Sequence, residues 1–276
     1  MGELFNIFFV QPIINVLIII YSTLSFVHVP YALGFSIIIL TIFIRFILYP
    51  FTASQLKASK KMQEISPHVS NIKEKHKGDS KKIQEETMRL YKEHGVNPAA
   101  GCLPMIIQLP IIWALYQVLY KIVALNSGNV VSIINKDIYN LDFLKIFKLT
   151  QPWDTSFLGI PLGQNPSHLI SVVGPLILLA PVLTGVFQFV QSKMLIAPRA
   201  KILSKEKKKE DFSSAFQAQS LYIFPIMIGF FSYTLPFGLS LYWNTFTIFG
   251  ILQQYRIQGL GGLAEWKEKA KTLLKK

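Results

Sequence analysis

The sequence predicts an all-α polytopic membrane protein with a five-helix transmembrane core, and three observations carry that reading. Hydrophobic residues make up 51% of the chain and charged residues only 16%, more apolar than a soluble domain requires. The apolar residues gather into continuous windows near the 20 residues that a helix needs to cross a bilayer. A barrel would instead show short segments of alternating character. The third observation is where the charges lie. The formal net charge of +13 raises nucleic acid as a partner, but a basic patch on one folded face is not what the chain shows. Residues 52–102 hold ten Lys/Arg, residues 191–218 hold seven and the tail from Arg256 holds six, so the basic residues fall between and after the apolar windows. The pattern argues against DNA as a partner. By the positive-inside rule it places both basic loops and the C-terminus in the cytoplasm, which requires an odd number of spans.

Taken in order, residues 1–30 are apolar but interrupted by Asn6, Gln11, Pro12 and Asn15. They read either as a further span or as an amphipathic helix in the outer interface before Pro30 turns the chain inward, and the interfacial reading is preferred. No cleavable signal is expected, because Met1-Gly2-Glu3 lacks a basic start. Residues 31–51 form span 1, with Pro50 where the helix should reach the cytoplasmic surface. Residues 52–102 change character. Met62, Ile65, Val69 and Ile72 recur at three- and four-residue spacing, then Gly78-Asp79 turns the chain. Ile83, Thr87, Leu90 and Tyr91 mark a second stripe, opening on a Ser80 cap and stopping at Gly95. Two stripes joined by a tight turn predict an antiparallel cytoplasmic helical hairpin.

Span 2 is residues 103–123, carrying Pro104 and Pro110. Residues 124–168 form an external loop whose QPWDTSFLGIPLG segment is rich in turn formers and aromatics. Span 3 is residues 169–190, with Pro175 and Pro181. A cytoplasmic basic loop (191–218) leads to span 4 (219–235) and span 5 (236–256), which a tight external turn joins. Residues 257–276 are a basic cytoplasmic tail.

Arg45 sits inside span 1, between ILTIFI and FILY. Arginine at the centre of a spanning helix costs about 2.5 to 3.5 kcal/mol on insertion scales, so such a residue faces protein or a wet cavity unless it snorkels to the headgroups. No Asp or Glu falls in any of the five windows, which removes an ion pair within the spans. The charge is then answered by water, by uncharged polar groups or by a visiting anion. Thr41 shares its face one turn earlier. Gln108, Gln117, Gln188, Gln191, Asn244 and Thr245 offer polar lining from other spans, and together these residues suggest a wet concavity open to the cytoplasm. Each also has the plainer role of a hydrogen-bond partner between helices.

Catalysis finds little support. H-E-x-x-H, G-x-S-x-G and phosphate-cradling glycine loops are missing. The five histidines fall in or beside non-membrane segments without metal-ligand spacing, and the single cysteine, Cys102, rules out an internal disulfide. No enzyme, metal or cofactor is expected.

The run GFSIIILTIFIRFILYPFTASQLKASKKMQEISP, then HGVNPAAGCLPMIIQLPIIWALY, then LPFGLSLYW and ILQQYRI, closely resembles the YidC family of membrane protein insertases across roughly residues 3 to 260. The resemblance implies a hydrophilic groove open to the cytoplasm and to lipid but sealed outside. In it Arg45 matches the groove arginine and Thr41 the polar residue one turn before. Tyr242 and Trp243 match an aromatic pair that contacts substrate. Residues 54–94 match the cytoplasmic hairpin and residues 3–27 an external amphipathic helix. The implied activity is insertion and folding of nascent membrane protein clients in a bacterial inner membrane. It runs with or without the Sec translocon, with ribosome and anionic lipid as further partners. No counterpart of the large external domain of many relatives is expected, and Asn244 follows the aromatic pair directly, with Thr247 where many relatives carry asparagine. A solute channel and a scaffold acting after the translocon are the competing functions.

Overall fold

The computed structural model describes residues 2–95, 103–123, 131, 135–136, 138–139, 147, 154–195, 212–264, 266 and 272. The NPAAGC run with Cys102, most of the segment 124–153, the basic loop at 196–211 and most of the tail after 264 lie outside these residues. The described chain is overwhelmingly helical and divides into two compact units, one of residues 1–47, 107–188 and 222–249 and one of residues 48–106, 189–221 and 250–276.

The core of the first unit begins on the helix Gly2–Phe26, which buries Val10, Ile14, Leu17 and Ile18 at helical spacing and leaves Leu4, Phe8 and Phe26 exposed. Its segment Asn6–Val10 widens to a π-turn. Pro12 explains this, since proline brings no N–H to the helical ladder and its ring crowds the preceding turn. His28 and Tyr31 adopt positive φ at the turn that follows. The arginine helix, Ala32–Ile47, then buries Leu33, Ile37, Leu40, Thr41 and Arg45 along one stripe and exposes Phe35, Ile39, Phe43 and Phe46 on the other side.

Among the described residues the fold is all-α except for one element that the apolar windows did not foresee. Ser156–Phe157 and Ile160–Pro161 pair antiparallel. Leu158 and Gly159 between them both have positive φ, which a two-residue hairpin turn with strand-like twist demands. Phe157 lies edge-on to Phe35 at 5.4 Å and to Tyr31 at 6.2 Å, and any side chain at Gly34 would enter its ring. The residues after the hairpin cap the last helix, Phe237–Gln258. The Phe237 N–H donates to the Gln164 carbonyl at 2.9 Å and the Gly238 N–H to the Leu162 carbonyl at 2.7 Å, answering amides that a helix start leaves unpaired.

The window at 169–190 is not one continuous helix. A helix Pro166–Val173 stops at Gly174, whose φ of 90° ends it, and Pro175 cannot donate to the turn before. A 3₁₀ turn, Pro175–Leu178, restarts the chain into Leu179–Leu195, so the apolar helix here begins at Pro175 and not at 169. It meets the helix Phe212–Thr234 where a Cβ on Gly229 would stand 3.3 Å from the Pro181 carbonyl oxygen. Thr184, Ser232 and Ser240 are buried beside this approach. Thr184 and Ser232 lie 3.0 Å apart, and Ser232 donates to Ser240 at 2.7 Å. Among the described residues, Gly2–Phe26 and Pro175–Leu195 are each long and apolar enough to cross a membrane, and Ala32–Ile47 adds a third only where it counts as one broken span with Tyr49–Met62.

In the second unit Pro50 opens a helix, Tyr49–Lys75, where the sequence suggested an ending. This suits a residue whose missing N–H costs nothing in a first turn. Ile65 is buried, and Met62, Val69 and Ile72 are half-buried beside it. Gly78 turns the chain at φ 94° into Ser80–Glu93. The cap is Asp79 and not Ser80: its carboxylate accepts from the Lys82 N–H at 3.0 Å. The two are neighbouring cap formers, and Asp79 is the one that reaches the third amide of the turn. Ile83, Leu90 and Tyr91 are half-buried on the second helix. Arg89 lies 3.0 Å from Glu93 and 3.9 Å from Glu86 on its exposed face. At the other end of the unit, Trp266 lies 5.8 Å from Phe189 and 6.0 Å from the Lys193 ammonium.

Candidate functional site

Arg45 ends the buried stripe of its helix and is 4% exposed. Its Nε donates to the Phe246 main-chain carbonyl at 3.1 Å and its Nη2 to the same oxygen at 2.6 Å. The guanidinium carbon also stands 3.4 Å from the centre of the Phe246 ring. A carbonyl within a helix keeps a second lone pair beyond its ladder bond, and an aromatic face attracts a cation. Hydrogen bonds to a charged group contribute about 1.5 to 3 kcal/mol and a cation over a ring about 0.5 to 2 kcal/mol. Together these offset the insertion cost without cancelling the charge, because neither partner is an anion.

Phe246 carries the site onward. Its ring is 5.6 Å from that of Tyr242 one turn before, and the Tyr242 hydroxyl accepts from the Gln108 Nε2 at 2.5 Å. The structure therefore joins Arg45, Phe246, Tyr242 and Gln108 into one chain of contacts. Tyr242 and Trp243 are 1% and 5% exposed and belong to the hydrophobic core. Thr41 is buried and turned to its own helix, its hydroxyl donating to the Ile37 carbonyl at 2.6 Å. Gln117 and Gln188 are half-buried and take no part in these bonds. Asn244 is half-buried, and its Oδ1 is buried without a hydrogen-bond partner among the described residues. Thr247 is buried.

Sequence reasoning missed Phe246. The usable signal was its place four residues after Tyr242, on the same helical face, in a chain whose apolar windows hold an arginine and no acidic residue. Chemically the arrangement holds a positive charge in a low-dielectric setting on two of five N–H donors. Among the described residues, the Phe246 carbonyl is the hydrogen-bond acceptor the guanidinium meets.

The profile of the 60Kd inner membrane protein family matches residues 24–261. The chain is 34% identical over 229 residues to the membrane protein insertase YidC of Fusobacterium nucleatum, covering 83% of this chain and 87% of that protein. It is 34% identical over 260 residues to the chloroplastic inner membrane protein ALBINO3 of Arabidopsis thaliana, covering 90% of this chain. It spans about half (51%) of that relative's length. A crystal structure of an active YidC insertase, with its first transmembrane domain resolved, matches with a TM-score of 0.50 at 27% identity over 81% of this chain and 41% of the other. With most of its length matched by the profile, the chain belongs to the 60Kd inner membrane protein family.

Proposed function

We propose that the chain is a membrane protein insertase and chaperone, and that it works without covalent chemistry. The observation that carries this reading is a buried arginine, without an acidic partner among the described residues, tied to the last helix through a main-chain carbonyl and a ring. Relatives named as membrane protein insertases favour the same activity. A client enters from the cytoplasm with a short tail, and acidic or polar groups of the tail exchange with water around Arg45. The apolar segment then leaves sideways into lipid. Burial of that segment drives the step, each CH₂ contributing about 0.8 kcal/mol. Gln108, Gln117, Gln188 and Asn244 line the polar path, and Tyr242 and Trp243 brace it.

In this reading five spans cross the inner membrane with both basic loops and the C-terminus in the cytoplasm. The hairpin of Tyr49–Lys75 and Ser80–Glu93 meets clients first, and the basic residues lie against anionic lipid. The helix Gly2–Phe26 rests in the outer interface. Clients arrive from the ribosome directly or by way of the Sec translocon.

The test is reconstitution of the purified chain alone in liposomes with a two-span client. Protease-protected client without added translocon supports insertion. A scaffold would crosslink to clients without inserting them, and solute flux through the liposomes would point to a channel.

A further inference from the structure

We propose that Gln55 and Gln253 form a clasp for the polypeptide backbone of a passing client, one amide donating to a peptide carbonyl and the other accepting from a peptide N–H. The inference rests on the insertase reading and gives that activity a second, uncharged contact.

The clasp sits where the root of the cytoplasmic hairpin meets the end of the last helix, and this contact is built from amides. Gln253 donates through Nε2 to the Thr52 hydroxyl at 2.9 Å. Thr52 is free to accept because its own proton goes to the Leu48 carbonyl at 2.7 Å. One turn on, the Gln258 amide donates to the Leu56 carbonyl, and Gln254 donates to Gln258 at 3.4 Å. Within this set two atoms are buried without a partner among the described residues, the Gln55 Nε2 and the Gln253 Oε1. Gln55 follows Thr52 by three residues and so shares the face that Gln253 meets. The two residues are only 9% and 4% exposed.

Buried polar atoms without partners are few in native proteins, and each calls for a reason. Here the reason is in the chemistry of the pair. One unanswered donor and one unanswered acceptor are the hydrogen-bond complement of a single peptide unit. A phosphate or carboxylate offers acceptors only and would leave Gln253 Oε1 unanswered. Thr52, Gln55, Gln253, Gln254 and Gln258 are all uncharged, so the contact reads backbone and not sequence, as a site serving varied clients must. The bonds around it are neutral side-chain bonds, which exchange with a visiting amide at little net cost.

The experiment compares the wild-type chain with Gln55→Leu and with Gln55→Met, which keeps the side-chain length. Each is reconstituted in liposomes with one client bearing an acidic tail and one bearing an uncharged tail. The expected result is insertion about fivefold slower for both clients, the worth of one neutral hydrogen bond, with a melting temperature unchanged or raised. A photoreactive residue at Leu56, half-buried beside the pair, should capture an arrested client in the wild-type background and lose that capture with Gln55→Leu. Insertion at the wild-type rate in both variants, with a raised melting temperature and no capture, would mean that the amides hold an ordered water only, and the clasp would be overturned. Failure of the wild-type chain to insert either client removes the insertase reading itself, and the clasp with it.

Discussion

Arg45 and Leu33, Ile37 and Thr41 stand at four-residue spacing on one buried stripe, so the arginine points into protein and not toward lipid. Replacing it with alanine should slow insertion of acidic-tailed clients about tenfold, the worth of one charge-assisted contact, and leave uncharged-tail clients within about twofold. Protease protection in liposomes measures both. Lysine should fall between, because an ammonium keeps the charge but cannot fork onto one oxygen while stacking on a ring. Phe246→Leu removes the ring face and keeps the carbonyl. It should cost about 1 kcal/mol of stability, read as a lowered melting temperature in detergent. The stripe that buries Arg45 was legible in the sequence, because helical spacing is local. Its partner was not, since Phe246 lies 201 positions away and offers a main-chain atom that no residue name advertises.

At the scale of elements, the hairpin depends on a turn and a narrow stripe. Removing the cap with Asp79→Ala should cost about 1 kcal/mol of helix stability, seen as faster hydrogen exchange in residues 80–84 with the rest of the chain unchanged. Ile65→Ala opens a hole at a buried apolar position of the helix Tyr49–Lys75 and should cost about 2 to 5 kcal/mol, loosening both helices of the hairpin together. Where the sequence misled, the cause was averaging or adjacency. An apolar window smooths over Gly174-Pro175, although that dipeptide is a strong breaker. Asp79 and Ser80 are both cap formers, and composition alone does not choose between them. Leu158 at positive φ is an unusual residue for a hairpin turn, so the short strand pair left no clear mark.

For the whole molecule, the proposed topology makes a labelling prediction. Single cysteines at Glu3 and His28, in a chain with Cys102 replaced by serine, should both react with an impermeant reagent added from outside if the helix Gly2–Phe26 rests in the outer interface. That helix is also long and apolar enough to cross, and labelling from opposite sides would establish a sixth span and reverse the placement of Glu3. Cysteines at Ser80 and Gln258 should react only after the cytoplasmic side is opened.

The carbonyl that holds Arg45 also bears on how this site can evolve. Every amino acid at position 246 brings the same oxygen, so a substitution that leaves the helix Phe237–Gln258 intact keeps the hydrogen bonds. Changes at 246 retune the ring contact while the charge keeps its anchor. The pairing is therefore inherited through helix geometry, and a loss at position 45 has no compensating side chain at 246 to restore it. The two positions need therefore leave no record of changing together.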